Sequence, residues 1–498
     1  MDYDKKPLPM ESHAASEPEP VVELSDQTKA LARRVIRKID SRILLMMFLT
    51  YNLNFIDKTI LSSAAVFGLE DDNHLVGKQY SWVSSIFYFG YLVYEYPTTY
   101  LIQRLPVGKY LSAVTILWGV FVAVTAACSS FGALATCRFL LGMAEATVSP
   151  AHVFITAMWY TREEIPSRTG IWFAGNSTGG FIASLAAYGL GQITHPLHSW
   201  QWMFITFGLA TFLWGFVLLF FMPDTINGAS FLTEEEKQYA EDRVVVAGLG
   251  RFDPVNAQWK PSQVLECFLD PKTYFFMAIS ICTQIPNGGT GSFGNLALKS
   301  FGFTSLQSTL VSLPSSVISM SVIMITGWLA GRYSNITSYL LIGIVIPPVV
   351  GSALIYALEN KGLRLFAYYL LAFGPAAIPL ALGLLSANTK GVTKKMTLTA
   401  ILFITYCAGN IAGPQLFLAS EAKQGYPTAF RAILICYGLV MVIAIVLRLY
   451  LSWENKRRDQ REGAAAALPV DGDVKRELTA EDYEDITDMQ TPGFRYRM

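Results

Sequence analysis

Four ionisable side chains interrupt two long apolar stretches of the sequence, and their types suit the handling of protons and anions. Asp57 and Lys58 are adjacent in one stretch, while Arg138 and Glu145 lie seven residues apart in another. Seven residues make about two helical turns, so Arg138 and Glu145 are predicted to share one helix face, about 10 Å apart along its axis. The two acids and two bases form a set that is neutral when all four are ionised.

Charged side chains are costly at the depth of a bilayer, by about 3 kcal/mol on insertion scales and more than about 10 kcal/mol in simulations. Burial disfavours an ionised carboxyl group and a nearby cation favours it, so an acid balanced between these effects can exchange its proton. The pattern predicts that Asp57 and Glu145 carry protons, and that Lys58 and Arg138 bind the carboxylate of a substrate. The alternative is a pair of structural ion pairs, although buried pairs stabilise poorly compared with apolar packing.

Other polar residues within the apolar stretches are secondary candidates. Asn287, Asn388 and Asn410 are predicted to contact the substrate, with hydrogen bonds between helices as the alternative for Asn388 and Asn410. A hydrogen-bonded residue near a helix end is favoured for His152 over a second proton carrier. Glu95 is predicted to be a structural partner for cations in a loop.

The composition indicates that lipid surrounds most of the chain. Hydrophobic residues make up 52% of the 498 residues and charged residues only 15%, whereas a soluble protein carries roughly a quarter charged residues. A helix needs about twenty apolar residues to cross a hydrocarbon core of roughly 30 Å. The sequence therefore predicts an all-α polytopic membrane protein with about twelve transmembrane helices in two six-helix halves. The predicted spans are 42–63, 80–101, 110–128, 132–157, 168–192, 200–222, 271–294, 305–330, 337–357, 364–386, 395–418 and 429–451.

Charged stretches divide the chain and predict its orientation. The predicted divisions are an N-terminal tail at 1–40, one half at 41–222, a central loop at 223–270, a second half at 271–452 and a C-terminal tail at 453–498. The N-terminal tail is predicted to be disordered and to run into a basic helix start, and the C-terminal tail is predicted to be disordered. Lys and Arg in short loops mark the cytoplasmic side. They place both termini and the central loop there, through residues that include Arg33, Arg34, Arg104, Lys109, Arg332, Lys390 and Lys395.

Several other classes of function are disfavoured by the same sequence. The formal net charge is zero, so no basic surface is left over for nucleic acid. The six cysteines stand apart from one another and have no metal-ligand spacing. The sequence shows no set of nucleophile and base, so we predict no enzyme activity, no metal and no cofactor. The N-terminus is polar rather than a cleavable signal peptide, and we expect a monomer in the bilayer.

Small residues predict how two of the spans are used. The fifth span contains Gly175, Gly179 and Ala183, which favour close packing between helices because small residues let helix backbones approach each other in lipid. The seventh span contains Pro286 followed by Asn287 and several glycines, a pattern that bends or breaks a helix. Broken backbone at membrane depth is tolerated inside protein or beside a cavity, so a gate or binding element and a mere kink are both open.

Short motifs occur in order along the chain and carry a resemblance to a known family. They are Leu101 to Tyr110, Pro223-Asp224 with Phe231 to Glu236, Gly327 to Arg332, Asn388 to Lys395, and Gly409 to Gln415. Over about residues 40–455 the chain resembles the major facilitator superfamily, and within it the fungal allantoate permease-like branch of the anion:cation symporters. In the wider group the positions of Asp57, Lys58, Arg138 and Glu145 are implicated in proton coupling and carboxylate binding.

The resemblance implies alternating access by rocking of two six-helix halves around a site near the bilayer midplane. It further implies proton-coupled uptake, at the plasma membrane, of a small organic anion such as nicotinate, allantoate or pantothenate. One alternative is an exporter of a fungal secondary metabolite, although the fifth span lacks the proline that drug antiporters of the superfamily typically carry there. Another alternative is a transporter-like nutrient receptor that moves no solute.

Overall fold

A computed structural model describes residues 26–161, 164–244, 260–333, 335–462, 486–491 and 493–498. Within these ranges the chain is helical and contains no β-strand. The helices are α1 (Asp26–Ile39), α2 (Leu45–Val66), α3 (Leu69–Asp72), α4 (Gln79–Arg104), α5 (Val107–Thr125), α6 (Phe131–Glu145), α7 (Val148–Trp159), α8 (Ile165–Phe173), α9 (Gly175–Leu190), α10 (Ser199–Phe221), α11 (Glu234–Val244), α12 (Pro261–Leu269), α13 (Pro271–Ser300), α14 (Ser305–Val311), α15 (Leu313–Arg332), α16 (Thr337–Ala357), α17 (Lys361–Leu371), α18 (Ala377–Ala387), α19 (Val392–Gln415) and α20 (Pro427–Glu462).

The long helices account for all twelve predicted spans. Eight helical stretches in the described part of the chain are long and apolar enough to cross a membrane, namely Val107–Thr125, Phe131–Trp159, Ser199–Phe221, Ser305–Arg332, Thr337–Ala357, Lys361–Ala387, Thr393–Gln415 and Pro427–Arg461. Four further stretches have the length of a span but carry more polar residues, and they are α2, α4, the α8–α9 pair and α13. Asp57 and Lys58 on α2 and Asn287 on α13 lie in these more polar stretches, whereas Arg138, Glu145 and Asn410 lie in two of the eight apolar ones.

Glycines bring several of these helices into close contact. A Cβ atom at Gly179 would lie 2.5 Å from the backbone oxygen of Asn52, so α9 packs directly on α2 at this point. Backbone approach of this kind is how helices associate where lipid gives no hydrophobic drive between them. The close helix packing that the small residues of the fifth span predict is therefore confirmed.

The interruptions of the spans differ from the prediction. Helix α13 runs without a break through Pro286, so of the bend and the break that the sequence left open in the seventh span, the break does not occur. Its glycines serve packing instead, because a Cβ at Gly288 would lie 2.7 Å from the Cα atom of Asn410 on α19. The fourth span is interrupted between α6 and α7, directly after Glu145, and further interruptions separate α8 from α9, α14 from α15 and α17 from α18.

Two of the sequence motifs tie loops to helix ends. The backbone N–H of Lys109, near the start of α5, donates to the Asp224 carboxylate at 3.0 Å, and the Lys109 ammonium lies 3.7 Å from it. Glu236 on α11 accepts a hydrogen bond from Lys38 at 2.6 Å and forms an ion pair with Arg34 at 3.0 Å, and both contacts hold α1 to the stretch between α10 and α13. A carboxylate near a helix N-terminus is favourable because the backbone N–H groups there lack partners.

Hydrogen bonds join the helices α2–α10 to the helices α13–α20 at one end of the bundle, where α2 and α13 finish and α4 begins. We call this set of contacts the seam. It comprises Tyr80 with the Ser292 carbonyl, Asn295 with Ser62 and Ser63, Ser305 with the Val66 carbonyl, Ser85 with Gln415 and the Ile411 carbonyl, and Ser312 with Ser184. Every side chain in the seam is uncharged.

The C-terminal part of the chain departs from the disorder predicted for residues 453–498. Helix α20 continues to Glu462, well past the predicted end of the last span. Residues 486–491 and 493–498 pack against the opposite end of the bundle from the seam, where Asp488 and Tyr496 are buried. The remaining predicted tail residues, 1–25 and 463–485, lie outside the described residues, as does the stretch 245–259 of the central loop.

Candidate functional site

The first predicted pair of charges meets inside the bundle. Lys58 on α2 places its ammonium nitrogen 3.2 Å from a carboxylate oxygen of Glu145, the last residue of α6. The Glu145 side chain is fully buried, whereas the Lys58 side chain keeps 23% of its surface exposed. The pair is therefore not sealed on every side, because part of the lysine side chain is exposed.

Asn54, which the sequence reasoning did not single out, connects the two charged groups. It accepts a hydrogen bond from the Lys58 ammonium at 2.7 Å and donates one to the same Glu145 oxygen at 2.7 Å. Its position four residues before Lys58 puts both on one face of α2, and that spacing was the available signal. The second Glu145 oxygen is buried and has no hydrogen-bond partner among the described residues.

Asp57 lies in a different environment from its neighbour. Consecutive helical residues point about 100° apart, and Asp57 turns toward α5, where the indole N–H of Trp118 donates to its carboxylate at 2.5 Å. No described cation lies within ion-pair distance of Asp57, and its other oxygen has no described hydrogen-bond partner. The structure therefore does not place Asp57 in an ion pair with Lys58 or Arg138, and it adds Trp118 to the site.

Arg138 is a buried guanidinium without an acidic partner in the described structure. The residue is 3% exposed, and its Nε and Nη1 atoms have no described hydrogen-bond partner. Its guanidinium carbon lies 5.2 Å from the centre of the Phe87 ring, and the Lys58 ammonium lies 5.7 Å from the same ring. Both cations thus lie near the Phe87 ring, a contact that is favourable but does not satisfy N–H donors.

Two of the three predicted asparagines lie together in the second set of helices. Asn287 on α13 donates to Asn410 on α19 at 3.1 Å and to Gln284 at 3.2 Å, and Asn410 donates to Gln284 at 2.9 Å. Asn410 also donates to the Tyr406 carbonyl at 2.9 Å, so both of its amide atoms are used within the protein. These contacts join α13 to α19, and Gln284 is the member that sequence reasoning missed.

Asn388 lies away from this cluster and is not retained as a substrate contact. Its side chain is fully buried at the end of the bundle opposite the seam. It donates to the backbone oxygen of Arg497 at 2.8 Å and accepts from the backbone N–H of Arg497 at 2.7 Å. Both polar atoms of the amide are therefore engaged by the C-terminal segment, away from the other predicted substrate contacts.

The two secondary titratable candidates have contrasting surroundings. His152 is buried, with its ring nitrogens 2.7 Å from the Val148 carbonyl oxygen and 3.0 Å from the Met47 carbonyl oxygen, as a hydrogen-bonded histidine near a helix end should be. Glu95 has no cation within ion-pair distance among the described residues, and one of its carboxylate oxygens is buried without a partner. The described structure thus does not pair Glu95 with a loop cation.

The comparison with family models assigns the class of protein. Residues 47–414 match the Major Facilitator Superfamily. The chain therefore belongs to the Major Facilitator Superfamily, and it is a multi-pass membrane protein of a family of transporters.

Curated relatives cover almost the whole chain. An uncharacterised transporter of Schizosaccharomyces pombe is 36% identical, with 94% of this chain and 87% of the relative covered. The allantoate permease of Saccharomyces cerevisiae is 32% identical, with 94% and 86% covered. A thiamine pathway transporter of the same yeast is 31% identical, with 94% and 86% covered. The resemblance drawn from the sequence motifs is confirmed.

Solved structures agree on the fold. A bacterial homologue of the human lysosomal transporter Spinster, in an inward-facing and unoccupied conformation, aligns with a TM-score of 0.62 at 15% identity, covering 82% of this chain and 95% of that one. A D-xylose–proton symporter aligns with a TM-score of 0.61 at 14% identity, covering 81% and 96%. At such low identity these similarities show the all-α major facilitator fold and nothing more specific.

Proposed function

We propose that this transporter couples proton movement to the uptake of a small organic anion. The observation that carries the proposal is Arg138, a buried guanidinium that lies beside the same aromatic ring as the part-exposed Lys58 and whose Nε and Nη1 atoms have no hydrogen-bond partner among the described residues. Leaving buried charged donors unsatisfied is costly. A carboxylate substrate would satisfy both cations, and Arg suits it because the guanidinium binds carboxylates with two parallel hydrogen bonds.

Glu145 supplies a means of coupling. In its ionised form Glu145 holds Lys58 and Asn54, so the ammonium is engaged and the anion has one cation fewer to bind. Protonation of Glu145 would remove that competitor and free Lys58 for the substrate. Loss of the proton on the other side would restore the Lys58–Glu145 pair and expel the anion.

The proposal includes a direction of opening and an orientation. The seam closes the bundle at one end, which supports an arrangement open toward the end that carries α1, α11 and α12. With both termini and the loop between α10 and α13 in the cytoplasm, this arrangement faces inward. Rocking of the helices α2–α10 against α13–α20 would break the seam and expose the site to the outside.

Asp57, whose carboxylate accepts a hydrogen bond from Trp118, is the second proposed proton site.

The substrate class rests on the relatives. One of them is an allantoate permease, so allantoate heads the panel of carboxylates to be tried, followed by nicotinate and pantothenate. Competition for uptake in a strain that lacks the corresponding permeases would identify the substrate. An outward-directed transport driven by the same proton gradient would instead establish an exporter.

The test of coupling uses purified protein in liposomes. In Glu145→Gln, accumulation driven by a pH gradient should disappear while exchange of substrate across the membrane survives. Asp71→Asn, at an exposed position on α3, neutralises a carboxylate away from the site and should transport as the natural chain does. Unchanged accumulation in Glu145→Gln would discard the role proposed for this residue.

A further inference from the structure

The C-terminal segment enters a charged groove at the end of the bundle opposite the seam. The Asp488 carboxylate is fully buried and lies 2.5 Å from the Lys272 ammonium on α13 and 2.9 Å from the Lys394 ammonium on α19. Thr487 donates to Glu266 on α12 at 2.9 Å. The segment therefore contacts three helices through charged or charge-assisted bonds, which are the stronger kind.

Two asparagines bind the backbone of the segment at adjacent residues. Asn455 on α20 donates to the Tyr496 carbonyl at 2.9 Å and accepts from the Tyr496 N–H at 2.8 Å. Asn388 makes the equivalent pair of bonds with Arg497, at 2.8 and 2.7 Å. Asn335, between α15 and α16, accepts from the backbone N–H of Met498 at 3.1 Å. Three consecutive residues of the segment are thus recognised through backbone groups.

The Tyr496 side chain is buried in the same groove. Its ring lies 3.7 Å from the Lys272 ammonium and 4.7 Å from the guanidinium carbon of Arg458. Its hydroxyl donates to Asp488 at 2.9 Å and accepts from Arg458 at 2.8 Å. A tyrosine with its ring on two cations and its hydroxyl doubly bonded is an anchor of the kind found at recognition sites.

The groove keeps acidic partners of its own. Lys272 lies 3.3 Å from Asp270, and Lys394 lies 2.9 Å from both Asp270 and Glu266. Departure of Asp488 would therefore leave each lysine with at least one acid, rather than with none. Because an uncompensated buried charge is the main cost of breaking such contacts, the groove can exist without the segment.

We propose that this groove, formed by the ends of α12, α13, α19 and α20, is a peptide-binding site whose tethered and exchangeable ligand is the chain's own segment Thr487–Met498. Residues 463–485 separate the segment from α20, so it reaches the groove as a distal part of the chain. The groove binds a carboxylate, an aromatic ring and backbone groups of the segment, and these are the groups through which peptides are recognised. Occupancy of the groove fastens α13 to α19, the two helices that carry Asn287 and Asn410.

The test is hydrogen–deuterium exchange on the full-length, isotope-labelled chain in detergent. The backbone amides of residues 496–498 should be protected, and an excess of unlabelled synthetic peptide Thr487–Met498 should raise their exchange by displacing the chain's own segment. A peptide with Asp488→Asn should compete about ten-fold or more weakly, as loss of a bond to charged groups predicts. The matched peptide Met489→Ala changes a side chain that is 43% exposed and should compete like the natural sequence.

Two results would overturn the proposal. One is that no excess of peptide increases the exchange of residues 496–498, which would make the segment a permanent part of the fold. The other is that the Asp488→Asn and Met489→Ala peptides compete equally. In the chain itself, Asn455→Leu should raise exchange at residues 496–498 without altering peptides from α4 to α6. The measurement does not involve transport, so its failure would leave the proposed function untouched.

Discussion

The Lys58 ammonium lies 3.2 Å from the Glu145 carboxylate, and Asn54 is hydrogen-bonded to both groups. This triangle joins α2 to the last residue of α6, just where the fourth span is interrupted. A change in the charge of Glu145 therefore acts on a contact between two helices and on the availability of a cation at the same time.

Exchanging the two charges separates a structural role of the pair from a role in coupling. Lys58→Glu alone and Glu145→Lys alone should each destabilise the protein, because removing one member of a buried pair costs about 3–5 kcal/mol. The double variant Lys58→Glu/Glu145→Lys should regain much of the melting temperature but not proton-driven accumulation. Recovery of both properties in the double variant would mean that the pair only holds helices together.

Substitution of Arg138 by lysine tests how the anion is bound. Lysine keeps the positive charge but lacks the planar arrangement of donors that grips a carboxylate at two points. The apparent affinity for the substrate, measured by uptake, should fall about ten-fold or more, as loss of a charge-assisted bond predicts. Arg33→Lys, at an exposed position on α1, is the matched control. Equal affinities in the two variants would remove Arg138 from the binding site.

A reversible cross-link across the seam tests alternating access. Asn295 donates to the Ser63 hydroxyl at 3.0 Å, so cysteines at these two positions should form a disulfide in the seam-closed arrangement. Oxidation of Ser63→Cys/Asn295→Cys should stop transport, and a reducing agent should restore it. Ser63→Cys alone should show neither effect. Transport that continues with the disulfide formed would show that the seam need not open.

Acidification should release the C-terminal segment. Burial acts to raise the pKa of the Asp488 carboxyl, but Lys272 and Lys394 outweigh it and hold the pKa below its ordinary value of 3.8. An acid whose pKa is lower in the docked state contributes its stabilisation above the ordinary pKa and loses it as the pH falls through the docked one. Protection of residues 496–498 should therefore be constant from neutral pH to about pH 5 and fall below about pH 4. The variant Asp488→Asn should remove this dependence on pH.

Much of the fold follows from the sequence because apolar length is a local property. The run that predicts a span at 337–357 becomes α16 over Thr337–Ala357. The charges at Asp57, Lys58, Arg138 and Glu145 could likewise be found because their types conflict with the apolar residues around them. The partners of these four residues were harder to predict. Asp57 accepts a hydrogen bond from the indole N–H of Trp118, a residue on another helix that stands among apolar residues in the sequence.

The errors arise where a local pattern has two possible uses. Pro286 and its glycines predict a bent or broken helix, whereas α13 continues unbroken and its glycines pack closely on α19. Asn388 has the polarity of a substrate contact, but its partner is the backbone of Arg497, more than one hundred residues away. The acidic composition of the C-terminal tail predicts disorder because composition does not reveal the lysines that Asp488 meets on α13 and α19.

The seam has a property that follows from the neutrality of its serine, asparagine, glutamine and tyrosine side chains. Each of its bonds can be replaced by bonds to water at a net cost of about 0.5–1.5 kcal/mol, so no single contact of the seam is costly to break. Dissolved ions screen charges and leave neutral donors and acceptors almost unaffected. The rate at which this end of the transporter opens should thus be nearly the same at low and at high salt concentration.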